Sequence, residues 1–194
     1  NLLWSHAIDG FPLSAQFTHT GRILFITHIG KLYVLEQVTG EPLINGELLS
    51  ANTPPTGDFD PRACMRGTAD CPCANTLAYD SASGRFYFTY WQPGTNQAAL
   101  WCMQYNESDG KASVSKVWEN NSLPGGSASS PDISADGTRI YVNDNAGDLF
   151  AINAASGEII WKYELGYNTG GSQSTSPDGY IMPAGANGAG VVCL

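Results

Sequence analysis

Apolar and polar residues alternate along short stretches of the chain, and each stretch ends at a turn rich in glycine, asparagine or aspartate. Arg139-Ile-Tyr-Val-Asn143 is an example, and a glycine-containing turn leads from it to the next strand, Asp148-Leu-Phe-Ala-Ile-Asn153. A third stretch, Glu158-Ile-Ile-Trp-Lys-Tyr163, follows the pair Ser156-Gly157. A period of two with turn residues between the stretches predicts antiparallel strands joined by hairpins. The chain is therefore predicted to be all-β.

These alternating stretches recur along the chain as an internal repeat. Residues 21–41 superpose on residues 137–158, and two pairs of matched glycines share one offset of 117 residues. A looser copy covers residues 84–118, and a fourth begins at Asp178 and reaches Leu194. Four strands in about 42 residues are typical of a propeller blade. We therefore predict a β-propeller of four-stranded antiparallel blades, with about four blades' worth present.

The repeat divides the chain into units of one predicted propeller region, residues 1–194. The units are the last strand of a preceding or closing blade at 1–8, a blade at 12–50, a Cys-containing insertion at 51–73, blades at 74–120 and 126–166, and an incomplete blade at 172–194. The blade at 74–120 also has a hairpin lengthened by residues 92–97. Both additions are predicted to project from the blades.

One repeat resembles the motif of a known family. The run Ala151-Ile-Asn-Ala-Ala-Ser-Gly157-Glu-Ile-Ile-Trp161 is similar to the Ala-x-Asp-x-x-Thr-Gly-x-x-x-Trp repeat of quinoprotein alcohol dehydrogenase-like propellers. The first blade keeps Thr39-Gly40-Glu41 but has Ile44 at the tryptophan position, and the second blade keeps only Trp118. The resemblance implies seven or eight radial blades. It also implies tryptophans that pack between neighbouring blades, for which the candidates are Trp4, Trp118 and Trp161.

The two ends of the chain fall inside the repeat. Leu2-Leu-Trp4 resembles a fourth strand, and Gly190-Val-Val-Cys-Leu194 resembles a third strand. One interpretation is that residues 1–8 complete the blade at 172–194 and close a four-bladed ring without exposed sheet edges. The other is that the chain is part of a longer propeller. We favour the longer propeller because the similar family has seven or eight blades and the sequence shows no natural start residue.

Cysteines and acceptor sequons point to an oxidising compartment. Cys64, Cys71 and Cys73 lie in one stretch without histidine, so a bridge from Cys64 to Cys71 or Cys73 explains them better than zinc. Such a bridge closes a loop of about eight residues and stabilises by roughly 2.5 kcal/mol in the chain-entropy model. The sequons at Asn106 and Asn120 are candidate glycosylation sites. Together these features predict an extracellular or secretory-pathway protein.

Composition excludes several classes of protein. Twenty-two glycines, eleven prolines and 11% aromatic residues favour short strands over long helices. A net charge of −9 disfavours binding to nucleic acid or to an anionic membrane surface. No stretch approaches the roughly 18 to 20 apolar residues of a transmembrane helix. We therefore expect a protein partner or self-assembly, with no nucleic acid and no transmembrane segment.

Three polar residues are weak candidates for a site in a central channel. Gln16, Asp132 and Gln173 occupy corresponding inner-strand positions and could converge on a ligand, or could simply line a wet channel. The resemblance implies pyrroloquinoline quinone and calcium for its dehydrogenases, often with a disulfide between adjacent cysteines. Cys71 and Cys73 do not match that last element, because Pro72 separates them.

Other candidate residues have structural explanations. The run Asn143-Asp-Asn-Ala-Gly-Asp148 has the wrong spacing for an EF-hand and is predicted to be a tight hairpin turn. Cys102 and Cys193 fall on the small-residue position of Ala151 and are predicted to be buried thiols. His6, His19 and His28 show no ligand spacing, and no serine lies in a hydrolase motif; these histidines are taken as ordinary strand and turn residues.

Two functions follow from these patterns. The favoured hypothesis is a secreted, non-catalytic propeller that uses the loop at residues 44–73 and its blade edges to bind or assemble proteins. The alternative is a quinone-dependent alcohol or sugar dehydrogenase, with pyrroloquinoline quinone and calcium, whose cofactor residues lie mostly outside this chain. No residue is predicted to be catalytic or to bind a metal.

Overall fold

The computed structural model describes residues 1–50, 71–167, 171–184 and 193–194, and it contains three four-stranded antiparallel sheets and one two-stranded sheet. Blade one comprises β1 (Gln16–Phe17), β2 (Ile23–Ile26), β3 (Lys31–Leu35) and β4 (Pro42–Leu48); blade two comprises β5 (Ala78–Tyr79), β6 (Arg85–Tyr90), β7 (Ala98–Ser108) and β8 (Lys111–Leu123); blade three comprises β9 (Asp132–Ile133), β10 (Arg139–Asn143), β11 (Asp148–Asn153) and β12 (Ile159–Glu164); and blade four contains β13 (Ser174–Thr175) and β14 (Ile181–Met182).

Each complete blade is a meander in which sequential strands pair. Their first strands lie side by side, since β1 contacts β5 and β9 contacts β13. In blade four, the backbone groups of Ile181 and Leu194 exchange two hydrogen bonds of 3.0 and 2.9 Å, so the chain's last residue lies where a third strand pairs. The all-β propeller prediction is confirmed.

In blades two and three the middle strands are buried on both faces because each of these sheets packs between two others. In β10, Ile140 and Val142 join a core with Tyr87 and Leu100 of blade two. The intervening Tyr141 joins a different core, with Ile181 of blade four. Alternate residues of one strand therefore supply two cores, which is how a period of two builds a radial stack of sheets.

Two tryptophans make the same contact between successive units. Trp118 on β8 lies over Gly157 of blade three, and its Nε1 donates a hydrogen bond of 3.1 Å to the carbonyl of Ala154. Trp4 lies over Gly40 of blade one, and its Nε1 donates 3.0 Å to the carbonyl of Gln37. The partners of the two tryptophans, Gly40 and Gly157, are related by the 117-residue offset of the repeat. Trp161 contacts Tyr141, 5.9 Å between ring centroids, in the core shared with blade four.

Two expectations are corrected by the structure, and a third stays a prediction. Residues 1–8 are not assigned to a strand among the described residues, but Trp4 packs on blade one as Trp118 packs on blade three, so their place in a preceding or closing blade stays a prediction. The outer strand β8 continues to Leu123, past the predicted end at residue 120, because it pairs with the elongated β7. Cys193 is exposed, since among the described residues no further strand covers it.

The two ends of the blades differ in their connections. In a four-stranded meander the second turn and the link to the next blade lie at one end, and the first and third turns lie at the other. We call the first end the loop face; it carries residues 27–30, 91–97 and 144–147 with the links between blades. The opposite end, the turn face, carries only short turns. Both predicted additions therefore emerge from the loop face.

Candidate functional site

The Cys-containing insertion begins and ends at neighbouring points on the loop face. Ser50 Oγ lies 2.9 Å from the hydroxyl of Tyr90, and the backbone N–H of Trp91 donates 2.9 Å to the carbonyl of Pro72. The N–H of Cys73 donates 3.2 Å to the carbonyl of His28 in blade one. Residues 51–70 lie outside the described residues. The described ends tie the insertion to blades one and two together.

His28 anchors a second segment to the loop face. Its Nδ1 accepts a hydrogen bond of 3.1 Å from the N–H of Phe11, and the two rings stack with centroids 4.1 Å apart. Burial lowers the pKa of His28, which keeps the imidazole neutral and able to accept. No spacing pattern revealed this role, because Phe11 and His28 meet only through the fold. His28 therefore holds the entry to blade one.

The cysteines occupy different environments. Cys71 is disulfide-bonded, whereas Cys73 and Cys102 are buried free thiols. Burial raises the pKa of Cys73 strongly and that of Cys102 to about 11, so both thiols stay protonated at neutral pH. Cys64, the other predicted bridge residue, lies outside the described residues. The pairing of Cys71 stays a prediction.

The inner-strand candidates join blades three and four. Gln173 is buried; its Nε2 donates 2.8 Å to the carbonyls of Ser130 and Tyr141, and its Oε1 accepts 2.9 Å from Ser129. Asp132 Oδ2 accepts 2.7 Å from Thr175, and its Oδ1 accepts 2.9 Å from the N–H of Ile133. The polar groups of these two side chains therefore hold the inner strands together.

These residues do not fit the quinone and calcium that the dehydrogenase hypothesis requires. The amide of Gln173 is hydrogen-bonded to protein groups through both its nitrogen and its oxygen. Each carboxylate oxygen of Asp132 also accepts a hydrogen bond from a protein group. Gln16 lies on β1 of blade one, two blades away from Asp132 on β9. Among the described residues no group of three or more His, Cys, Asp or Glu side chains is arranged to hold a metal ion. We derive no cofactor chemistry from them.

The Asn143–Asp148 segment forms a tight turn. Gly147 has a φ of 97°, and Asp144 Oδ1 accepts hydrogen bonds of 3.0 and 2.9 Å from the N–H groups of Gly147 and Asp148. Asp144 is buried, and this desolvation raises the pKa of its carboxyl. A glycine with positive φ and an aspartate that bonds to the backbone of its own turn are the features for which these residue types are favoured in turns.

The two sequons differ in accessibility. Asn106 is exposed near the end of β7. The Nδ2 of Asn120 instead donates 2.6 Å to the carbonyl of Gly157, beside the Trp118 contact. An amide nitrogen engaged between two blades is poorly placed to receive a sugar. The structure therefore separates an accessible sequon at Asn106 from an engaged one at Asn120. The sequon motif alone could not separate them.

A charged cluster joins blades one and two at the turn face. Glu107 accepts hydrogen bonds from Arg22 Nη2 at 2.7 Å, from Thr20 at 2.6 Å and from the Tyr105 hydroxyl at 2.6 Å. Its side chain is 8% exposed. The hydrogen bonds from Arg22 above all hold the pKa of Glu107 at about 2. Each polar group of this cluster is hydrogen-bonded to another member, so the cluster links blades one and two.

A pocket of about 230 Å³ lies beside the lengthened hairpin of blade two. Residues 92–97 and the end of β8 form its walls, and Trp101 contributes to it. The sequence indicated that the hairpin was an insertion, but no motif indicated a pocket. Its walls come from the hairpin and from β8, which are brought together only by the strand pairing.

The described part of the chain includes no helix with the length and apolar character needed to cross a membrane.

Comparison with known proteins gives one family and two related folds. The profile of the family described as outer membrane protein assembly factor BamB matches residues 1–179. Protein Rv3035 of Mycobacterium tuberculosis is 31% identical over 195 residues, which cover 94% of this chain and 44% of that protein. The chain therefore spans less than half the length of this curated relative.

Two solved propellers resemble the structure. The β-propeller domain of Cps50 (Swd1) from Myceliophteria thermophila has a TM-score of 0.69 at 12% identity, over 95% of this chain and 51% of that one. BamB from Moraxella catarrhalis has a TM-score of 0.58 at 13% identity, over 94% of this chain and 46% of that one. At such identities the likeness shows the fold alone.

Proposed function

Since the chain belongs to the family of PQQ-like-repeat β-propellers described as outer membrane protein assembly factor BamB, we propose that it is a non-catalytic scaffold that binds a protein partner through its loop face. The family description names assembly of outer membrane proteins, and one solved relative is itself a BamB. A scaffold needs a rigid body and a specific surface, whereas an enzyme needs a convergent set of reactive groups.

The observation that carries the proposal is the anchoring of the insertion. Its described ends bond to consecutive residues, Tyr90 and Trp91, so twenty residues leave and return at one place on the loop face. Added chain on a rigid sheet scaffold is where proteins commonly place recognition. The turn face has only short turns in its described part, and its Arg22–Glu107 ion pair is engaged between blades one and two. The loop face is therefore the better candidate for a partner.

Site-specific photo-crosslinking in cells tests this assignment. A photoreactive residue at Pro124 or Gly94, both exposed on the loop face, is expected to give a discrete adduct with a partner protein. The matched positions on the turn face, Ser81 and Ala155, are equally exposed and are expected to give none. Deleting residues 51–70 should abolish the adduct. Adducts from the turn face alone, or an adduct unchanged by the deletion, would overturn the assignment.

We also propose that the protein matures in an oxidising compartment, outside the cell or in the secretory pathway. Cys71 is disulfide-bonded, which such a compartment favours. Because Cys73, Cys102 and Cys193 are free, we assign Cys64 as the partner of Cys71. In that compartment the exposed Asn106 is the expected glycosylation site, in preference to Asn120.

Peptide mapping of the unreduced natural protein checks the bridge. Thiol alkylation of the folded protein is expected to label the exposed Cys193 and to spare the buried Cys73 and Cys102. Digestion should then release one peptide that joins Cys64 to Cys71. A linked peptide containing Cys73, or alkylation of Cys71 without reduction, would show that the assignment is wrong.

A further inference from the structure

Trp101, which lines the pocket beside the lengthened hairpin, has a buried indole N–H without an acceptor among the described residues. Trp101 is 3% exposed, and its indole N–H lies buried with no hydrogen-bond partner in the described part of the chain. An unpaired buried donor costs about 1–3 kcal/mol. The indoles of Trp4, Trp91 and Trp118, in contrast, each donate to a backbone carbonyl. An acceptor from outside the protein would relieve this cost.

The remaining walls of the pocket are polar and almost uncharged. Four amide side chains contribute to them, those of Gln92, Asn96, Gln97 and Asn121. An amide presents both donors and an acceptor, so a wall of amides suits a ligand whose groups also do both. The backbone carbonyl of Asn121 accepts 2.7 Å from Gln97, which ties the hairpin to β8. The wall is thus held in place before any ligand arrives.

One carboxylate completes the lining. Glu119 Oε2 pairs with Lys116 at 2.5 Å, and its Oε1 accepts 3.3 Å from the amide of Asn121. The hydrogen bond from Lys116 lowers the pKa of Glu119, so the group remains an ionised acceptor. The Lys116 ammonium also lies 4.1 Å from the centre of the Trp101 ring. The single negative charge of the pocket is therefore already balanced.

We propose that this pocket, formed by the hairpin at 92–97, β8 and Trp101, binds one pyranose ring of a carbohydrate. Vicinal hydroxyls donate and accept together, which matches the amides and the carboxylate that line the cavity with Trp101. The volume lies below the roughly 300 to 1,000 Å³ of sites for drug-sized ligands, which suits a single ring. An extended peptide would need an open strand edge, whereas this pocket is bounded by side chains of a hairpin and of β8.

The indole signals of the intact protein provide the test. In ¹⁵N-labelled protein, titration with methyl glucoside, methyl mannoside or methyl N-acetylglucosaminide is expected to shift the Trp101 Nε1–H signal in a saturable way. The Trp118 signal should stay in place, since its N–H is already bonded to Ala154. No saturable shift of Trp101 with any of the three glycosides would overturn the proposal. A shift produced instead by tetra-alanine would do the same.

Variants separate binding from folding. Trp101→Phe, followed through the backbone amide of Gln97, is expected to weaken glycoside binding about tenfold through loss of one hydrogen bond. Because Trp101 also packs in the core, Asn121→Ala serves as a second variant at an exposed rim position, with a similar expected loss. Thr138→Ala, beside a different cleft at the turn face, should leave the affinity unchanged. Unaltered affinity in Asn121→Ala would contradict the pocket assignment.

Discussion

Replacing Gly157 with alanine is expected to destabilise the protein by about 3 kcal/mol. Gly157 has a φ of +78°, in the left-handed region that costs a residue with a Cβ roughly 1–2 kcal/mol. An added Cβ would also lie 2.7 Å from the ring of Trp118. The indole must then move, which weakens its packing between blades two and three and its hydrogen bond to Ala154. Urea unfolding followed by tryptophan fluorescence measures the loss.

Gly110 provides the matched control for this substitution. It occupies the same turn of blade two with a φ of +73°, but no atom lies within 4 Å of its virtual Cβ. Gly110→Ala is therefore expected to cost only the backbone strain, about 1 kcal/mol. Equal losses for the two variants would show that contact with Trp118 does not decide the cost. The difference between them measures the contact between the blades.

Replacing Glu107 with glutamine is expected to cost about 2–3 kcal/mol at neutral pH. The carboxylate accepts from Arg22, Thr20 and Tyr105, and an amide of the same size keeps only one acceptor oxygen. The amide also leaves the guanidinium of Arg22 without its closest counter-charge, at 2.7 Å. Because the cluster lies between blades one and two, its loss loosens that joint. Equilibrium unfolding of both proteins gives the difference.

The pH dependence gives this prediction a distinctive signature. The folded protein holds the pKa of Glu107 at about 2, chiefly through Arg22, whereas an unfolded glutamate titrates near 4.3. The ionised group therefore stabilises the folded state fully above about pH 5, and this contribution is lost as the pH falls toward 2. The gap between the parent protein and Glu107→Gln should shrink across that range.

Glu164 is the control for the loss of a carboxylate. It is 79% exposed at the end of β12, so Glu164→Gln is expected to change stability by less than about 0.5 kcal/mol at any of these pH values. A gap for Glu107→Gln that stays constant from pH 5 to pH 2 would contradict the role given to its charge.

Much of the fold could be predicted because each blade repeats local chemistry. The turn glycines of blades one and three, which align at one offset, all have positive φ, as Gly30, Gly40, Gly147 and Gly157 show. Strands β10 and β11 pair without a register shift on either side of the turn that the sequence predicted. For residues 1–8 the local pattern is not sufficient, because a strand depends on a neighbouring strand that the pattern does not supply.

The candidate site was less accessible to prediction. Residues at 92–97 and the start and end of the cysteine insertion were identified as additions, but the sequence did not show that Tyr90 and Trp91 receive both ends of the insertion. Asp132 and Gln173 were candidates for a central channel, and the sequence did not show that their polar groups bond to the neighbouring blade. Polar side chains reveal their partners only when distant strands meet.

The sequence by itself determined the β-strands, the blade repeat and the family motif, because alternation, turn glycines and spacing are properties of neighbouring residues. Only the tertiary structure decided which polar groups are satisfied. Glu107 and Arg22 are 85 residues apart in sequence and meet at one joint, whereas the indole N–H of Trp101 is buried without an acceptor among the described residues. Hydrogen-bond satisfaction depends on atoms brought together by packing between blades, and no local pattern encodes that meeting.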